Sequence, residues 1–243
     1  MNRHEKNKKL LSESYNYDQS MEHDACGVGM IAATDGKKSR KIVDYGIEAL
    51  KSIWHRGAVD ADGKSGDGAG IQMEIAPEFF KEKIIATGHD PDASKRICVG
   101  MVFLPRTDYL EQEKCREIVE SILLEENYSI YGWRQVPINS SVLGKTAEQS
   151  RPEIAQVIFK KNQNLETNDL ERNLFETRKK IEKLARKNQL KNFYICSFSS
   201  RSIVYKGMFL AEMLAEFYPD LNDQKLTSRF AIFHQRYSTN TFP

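Results

Sequence analysis

Cysteine is scarce in this chain: four residues in 243, with Cys26, Cys98, Cys115 and Cys196 standing far apart. No CxxC pair and no His/Cys ligand spacing occurs, which argues against a structural zinc site and against a disulfide framework. No metal site is read, and reduced thiols imply a cytoplasmic address. Long hydrophobic runs are missing as well. Residues 1–25 lack an apolar core, and Glu5, Glu13, Asp18, Glu22 and Asp24 offset their lysines. That composition excludes a transmembrane segment and a secretory signal, and leaves a cleaved leader or a frayed terminus. Neither sign of charge dominates: 36 Lys and Arg against 34 Asp and Glu give a net charge of +2. No basic cluster is interleaved with aromatics, so nucleic acid is not an expected partner. The runs Lys8-Lys9 and Arg178-Lys179-Lys180 read as solvated faces. With 40% hydrophobic and 29% charged residues, what remains is an ordinary globular composition, long enough to bury a substantial core.

Short apolar runs alternate with amphipathic stretches. Gly27 to Ala33 reads as a buried strand bounded by the turn Thr34-Asp35-Gly36. Ile42, Val43, Ile47, Leu50 and Trp54 fall at helical spacing, and the helix stops at Arg56-Gly57. Ile71, Met73 and Ile75 alternate as in a half-buried strand, and Ile97 to Leu104 is another strand. Asp108 and Glu111 form a capping-box signature ahead of a helix whose apolar face includes Cys115, which marks Cys115 as core. Tyr128 to Val136 and Ile154 to Phe159 read as strands across a polar loop containing Asn139-Ser140-Ser141. Asn168 and Glu171 cap a long charged helix reaching about Lys187. Phe193 to Ser199 and Ile203 to Tyr205 suggest a hairpin across Ser200-Arg201. Met208 to Phe217 suggests a helix and Arg229 to His234 a last strand, with no closing helix before Pro243. The pattern is that of an α+β or layered α/β sandwich, incomplete at its C-terminus.

Four segments carry chemistry. Cys26 lies between a polar leader and the small-residue strand Gly27-Val28-Gly29. A cysteine exposed as an N-terminus can attack with its thiol while its own α-amine, of pKa roughly 7.7–8.0, takes the proton. A buried structural thiol is the plainer reading of a lone cysteine. Trp54-His55-Arg56-Gly57-Ala58 follows a helix, where Arg-Gly also reads as a C-cap. Gly66-Asp67-Gly68-Ala69-Gly70 is a tight turn into a strand, without the glycine spacing of a phosphate cradle. His234-Gln235-Arg236-Tyr237-Ser238-Thr239-Asn240-Thr241 ends the last strand. There Arg236 reads either as a surface ion-pair partner or as a bidentate site for an α-carboxylate.

In this order, the four segments resemble the class II glutamine amidotransferase domain, most nearly that of the glutamate synthase large subunit. Gly132-Trp133-Arg134-Gln135-Val136-Pro137, Val142-Leu143-Gly144, Phe193-Tyr194-Ile195-Cys196-Ser197 and Tyr205-Lys206-Gly207 are similar to that subunit too. The resemblance runs from about Tyr17 to Pro243. About two hundred residues separate Cys26 from Arg236, more than in the asparagine or glucosamine-phosphate synthase type of class II enzyme. Those enzymes and a non-catalytic regulatory domain are the alternatives. The resemblance implies a four-layer αββα sandwich of the N-terminal-nucleophile type, with residues 1–25 as leader and 26–243 as the amino-terminal part of the amidotransferase domain. It implies Cys26 as nucleophile and Arg56 and Gly57 on a loop that closes over L-glutamine. Arg236 would grip the α-carboxylate, with Tyr237, Ser238 and Thr239 lining the pocket and Asp67 and Gly68 structural beside it.

The implied reaction is glutamine hydrolysis, supplying ammonia for reductive amination of 2-oxoglutarate. FMN, a 3Fe-4S cluster and NAD(P)H or ferredoxin would serve the remaining synthase domains, with a small reductase subunit as a further partner. The family's His-Asn-Gly oxyanion segment lies beyond the equivalent of Pro243. The resemblance therefore implies that residues 1–243 alone are inactive.

Overall fold

The computed structural model describes residues 27–235 together with Lys6. Among the described residues, eight strands form two four-stranded antiparallel sheets. The first sheet has the order β1 (Val28–Ala32), β8 (Phe230–Gln235), β2 (Ala69–Glu74) and β7 (Ser202–Gly207). The second has the order β4 (Tyr128–Gln135), β5 (Glu153–Lys161), β3 (Cys98–Leu104) and β6 (Tyr194–Ser199). Helix α1 (Arg40–Ser52) buries Ile42, Val43, Ile47 and Leu50 and packs on β8 and β1. Gly46 on that face allows the approach, since a Cβ there would meet Ala231. Helix α2 (Pro77–Ala86) starts on a proline, whose missing N–H has no partner in a first turn anyway. Helix α3 (Tyr109–Glu125) begins at the expected cap, where Asp108 Oδ1 accepts from Glu111 N at 2.9 Å. Helix α4 (Lys145–Ser150) is short, α5 (Thr167–Lys187) is long, and α6 (Leu214–Phe217) is a single turn.

Two apolar clusters hold the layers. One joins α1, α2 and the first sheet to Val99, Met101, Ile154 and Ile158 of the second sheet. The other lies between Cys98, Val102, Val157 and Phe159 and the inner faces of α3 and α5. The period-2 alternation of strand side chains thus sends neighbours of β3 and β5 into different cores. That is why Ile97 to Leu104 reads as an unbroken apolar run. The result is the expected αββα sandwich. A polar bridge pins the sheets together: Arg134 of β4 donates to both Asp220 oxygens at 2.7 and 2.5 Å, and Tyr205 of β7 donates to Asp220 at 3.2 Å. Gln156 of β5 donates to the Tyr205 hydroxyl at 3.3 Å and accepts from Arg134 at 2.9 Å.

Several expectations are corrected. β1 is not buried: it is an edge strand, and Val28 and Met30 are 61% and 64% exposed. β2 is buried along nearly its whole length rather than half-buried, and it is an inner strand, between β8 and β7. β6 and β7 do not form a hairpin. β6 pairs with β3 and β7 with β2, so the chain crosses between sheets at Ser200-Arg201. Glu171 secures that crossing and does not cap α5. Its carboxylate accepts from Ser199 Oγ, Ser200 N and Ser200 Oγ at 2.7–2.8 Å. The expected helix over Met208 to Phe217 is a 3₁₀ turn at Ala211–Met213 followed by α6.

Candidate functional site

Three strand ends meet at one edge of the first sheet. β1 starts next to Gly27, β8 ends at Gln235, and β2 starts at Ala69, which is paired with Gln235. Gln235 N donates to Gly27 O at 2.5 Å. Neither glycine near this junction tolerates a side chain: a Cβ on Gly27 would overlap Gln235 O, and one on Gly57 would overlap Gln235 Nε2. Gly57 has φ −93° and ψ 145°, so it is extended backbone. Gly57 does cap the 3₁₀ turn, its N donating to Trp54 O at 3.1 Å, but in extended rather than left-handed backbone, so what requires a glycine there is Gln235 lying against it. The Arg-Gly loop, the Gly-Asp-Gly turn and the two strand ends thereby converge.

The loop from Gly57 to Gly68 is stapled to itself and to α4. Ala58 and Asp67 exchange bonds, with Ala58 N donating to Asp67 Oδ2 at 3.1 Å and Asp67 N to Ala58 O at 3.3 Å. Gly68 follows at φ +107°, a conformation that side chains rarely adopt. Asp67 and Gly68 shape the turn into β2. Further along the loop, Ser65 Oγ donates to Asp62 Oδ2 at 2.6 Å, and Ser65 Oγ accepts from Ala147 N at 3.1 Å. Asp62 also accepts from Thr146 N at 3.2 Å. The Ser65 hydroxyl, then the Ser65 and Lys64 N–H groups, hold the Asp62 carboxyl well below the usual carboxylate range. Asp62 and Ser65 escaped sequence reading; the Asp62-Gly63 turn dipeptide was the available signal.

A cavity of about 980 Å³ opens at this junction. Val28, Asp67, Gly68 and His234 line it from the strand ends, and Phe103, Arg106, Arg151 and Lys206 from elsewhere. Burial, with the Lys206 ammonium adding to it, pushes the His234 imidazole below its usual 6.5. Among the described residues no three His, Cys, Asp or Glu side chains gather as a metal site.

Cys26, Arg236, Tyr237, Ser238 and Thr239 lie outside the described residues, and so does the side chain of Arg56, whose backbone closes the 3₁₀ turn Trp54–Arg56. Their sequence neighbours Gly27, Gln235 and Gly57 are the groups brought together here. No described helix is long and apolar enough to cross a membrane.

The chain is 54% identical over 237 residues to the glutamate synthase [NADPH] large chain of Azospirillum brasilense, covering 98% of this chain and 16% of the relative. It is 45% identical to the ferredoxin-dependent glutamate synthase of Pyropia yezoensis and 41% identical to the chloroplastic one of Spinacia oleracea. Each of those matches covers 91% of this chain and 14% of the relative. The chain therefore spans about a sixth or less of the curated relatives it matches. The model of the glutamine amidotransferases class-II family matches residues 26–243, which take in all four segments. With the described parts of those segments converging at one edge of the first sheet of an αββα sandwich, the chain belongs to the class II glutamine amidotransferases.

Proposed function

We propose that this chain is the glutaminase part of a glutamate synthase large chain, hydrolysing L-glutamine to glutamate and ammonia. The observation that carries the reading is the bond between Gln235 and Gly27, which joins the described neighbours of Arg236 and Cys26 at one strand edge. The family match beginning at residue 26 supports a leader over residues 1–25. In this mechanism the Cys26 thiol attacks the glutamine side-chain carbonyl, and the free α-amine of Cys26 takes the thiol proton. The amine then returns a proton to the leaving nitrogen, so ammonia departs and a γ-glutamyl thioester remains. Water adds to the thioester, the amine again accepting a proton, and glutamate leaves as the thiol reforms. Arg236 binds the substrate α-carboxylate, Tyr237, Ser238 and Thr239 line the pocket, and Arg56 and Gly57 close over it.

The ammonia serves 2-oxoglutarate amination in the synthase domains, with NADPH or ferredoxin as electron source, FMN and a 3Fe-4S cluster there, and a small reductase subunit as partner. The relatives' names support this over the asparagine or glucosamine-phosphate synthase type. The cell compartment proposed is the cytoplasm. The chemistry requires a free amine on Cys26. Intact-mass analysis of the active full-length synthase should therefore find a mature chain starting at Cys26, and active enzyme retaining Met1 would sink the mechanism.

A further inference from the structure

The side chain of Gln235 is the most anomalous polar group at the junction. The residue is 1% exposed, and both Nε2 and Oε1 are buried with no hydrogen-bond partner among the described residues. Buried amides in folded proteins are nearly always paired, because an unpaired donor and acceptor forfeit their bonds to water. A core position that needs only volume is filled more stably by Leu or Met. On the same strand, Ala231 and Phe233 fill the alternate positions in that way. The carboxamide also has a definite neighbour: it lies where the Gly57 side chain would be, with Nε2, Cδ and Cγ all against that residue. Through its backbone, Gln235 binds Gly27. One residue thus touches the loop bearing Arg56 and Gly57 and the strand end that follows Cys26.

We propose that Gln235 is a positioning residue of the glutaminase site. Its carboxamide pairs with backbone groups of the Trp54–Gly57 segment when that segment settles over bound glutamine. This inference rests on the glutaminase reading. In the state described, the amide is aimed at the segment and bonded to none of the described residues; closure would satisfy both donor and acceptor. The cost of the unpaired amide in the open state then favours the closed, substrate-loaded one.

The test uses the full-length synthase with Gln235→Met, which keeps length and volume and removes both polar atoms. The thermal midpoint should stay level or rise, while KM for glutamine rises at least tenfold with kcat changed less than threefold. A second variant, Gln235→Glu, distinguishes positioning from mere filling. A protonated carboxyl offers one donor and one acceptor, as the amide does, whereas a carboxylate only accepts. Its KM should therefore fall toward the wild-type value as pH is lowered, a trend absent from the wild type measured in parallel.

A KM within twofold of wild type in the folded Met variant would overturn the inference and leave the glutaminase reading intact. Should the Met variant fail to fold, a pH-independent KM in the Glu variant would overturn it instead. Wild-type enzyme without glutamine-dependent activity would overturn the glutaminase reading, and the inference with it.

Discussion

Cys98, Cys115 and Cys196 are buried, and burial pushes the Cys115 thiol up to about 12 and the Cys196 thiol up to about 11. The Cys98 thiol is raised too, by burial first and the Glu171 carboxylate second. The attacking species is the thiolate, so these three are poor nucleophiles at neutral pH as well as inaccessible ones. A glutamine-analogue electrophile, 6-diazo-5-oxo-norleucine, should accordingly modify Cys26 alone in the native full-length enzyme. Peptide mapping by mass spectrometry that found label spread over all four cysteines would remove Cys26 from its assigned role. At this scale the apolar periodicity around Cys115 already marked it as core. Gln235 was not legible, because nothing in the string His234-Gln235-Arg236 says that the middle side chain turns inward and finds no partner among the described residues.

At the scale of elements, β8 carries most of what positions the site, since it pairs with both β1 and β2 and ends at Gln235. His234, next to that end, is half-buried beside Lys206, and its imidazole is depressed below the usual 6.5. A base with a lowered native pKa binds fewer protons folded than unfolded. Stability from keeping it neutral is therefore complete above about pH 6.5 and is lost as pH falls through that value toward the native one. Between pH 7 and 5.5 the midpoint of urea unfolding should drop more for wild type than for His234→Gln. Depressed carboxylates such as Glu74 act in both proteins and cancel in the difference. Parallel curves for the two proteins would refute the assignment. Element existence was largely readable: the strands before and after the polar loop, the Asp108 cap and the long α5 all lie where periodicity puts them. The misread span over Met208 to Phe217 and the unread α2 and α4 are short or weakly amphipathic, so tertiary contacts outweigh their local pattern.

For the whole molecule, the glutaminase reading separates two activities that one polypeptide would hold. Arg236→Lys keeps the charge but loses the bidentate fork for an α-carboxylate. Glutamine-dependent glutamate formation in the full-length enzyme should fall at least tenfold, about 1.4 kcal/mol of transition-state stabilisation. Synthesis from high external ammonia should persist, because ammonia enters the reaction after the step that Arg236 serves. An equal fall in both would make Arg236 structural and displace the pocket.

The order Cys26, Arg56-Gly57, Gly66 to Gly70 and His234 to Thr241 was enough to identify the family and the layered α+β class, because motif order and hydrophobic period are local properties of a chain. Convergence of the described parts of those segments was not in the sequence. It depends on β8 returning some two hundred residues later to lie between β1 and β2, an arrangement set by burial of Ala231 and Phe233 beneath α1 and Ile71. The separation of β6 from β7 into different sheets is of the same kind. A strand's partners are chosen by which faces can be covered at once, here through Glu171 at the crossing and Asp220 between the sheets. No window of neighbouring residues contains that information.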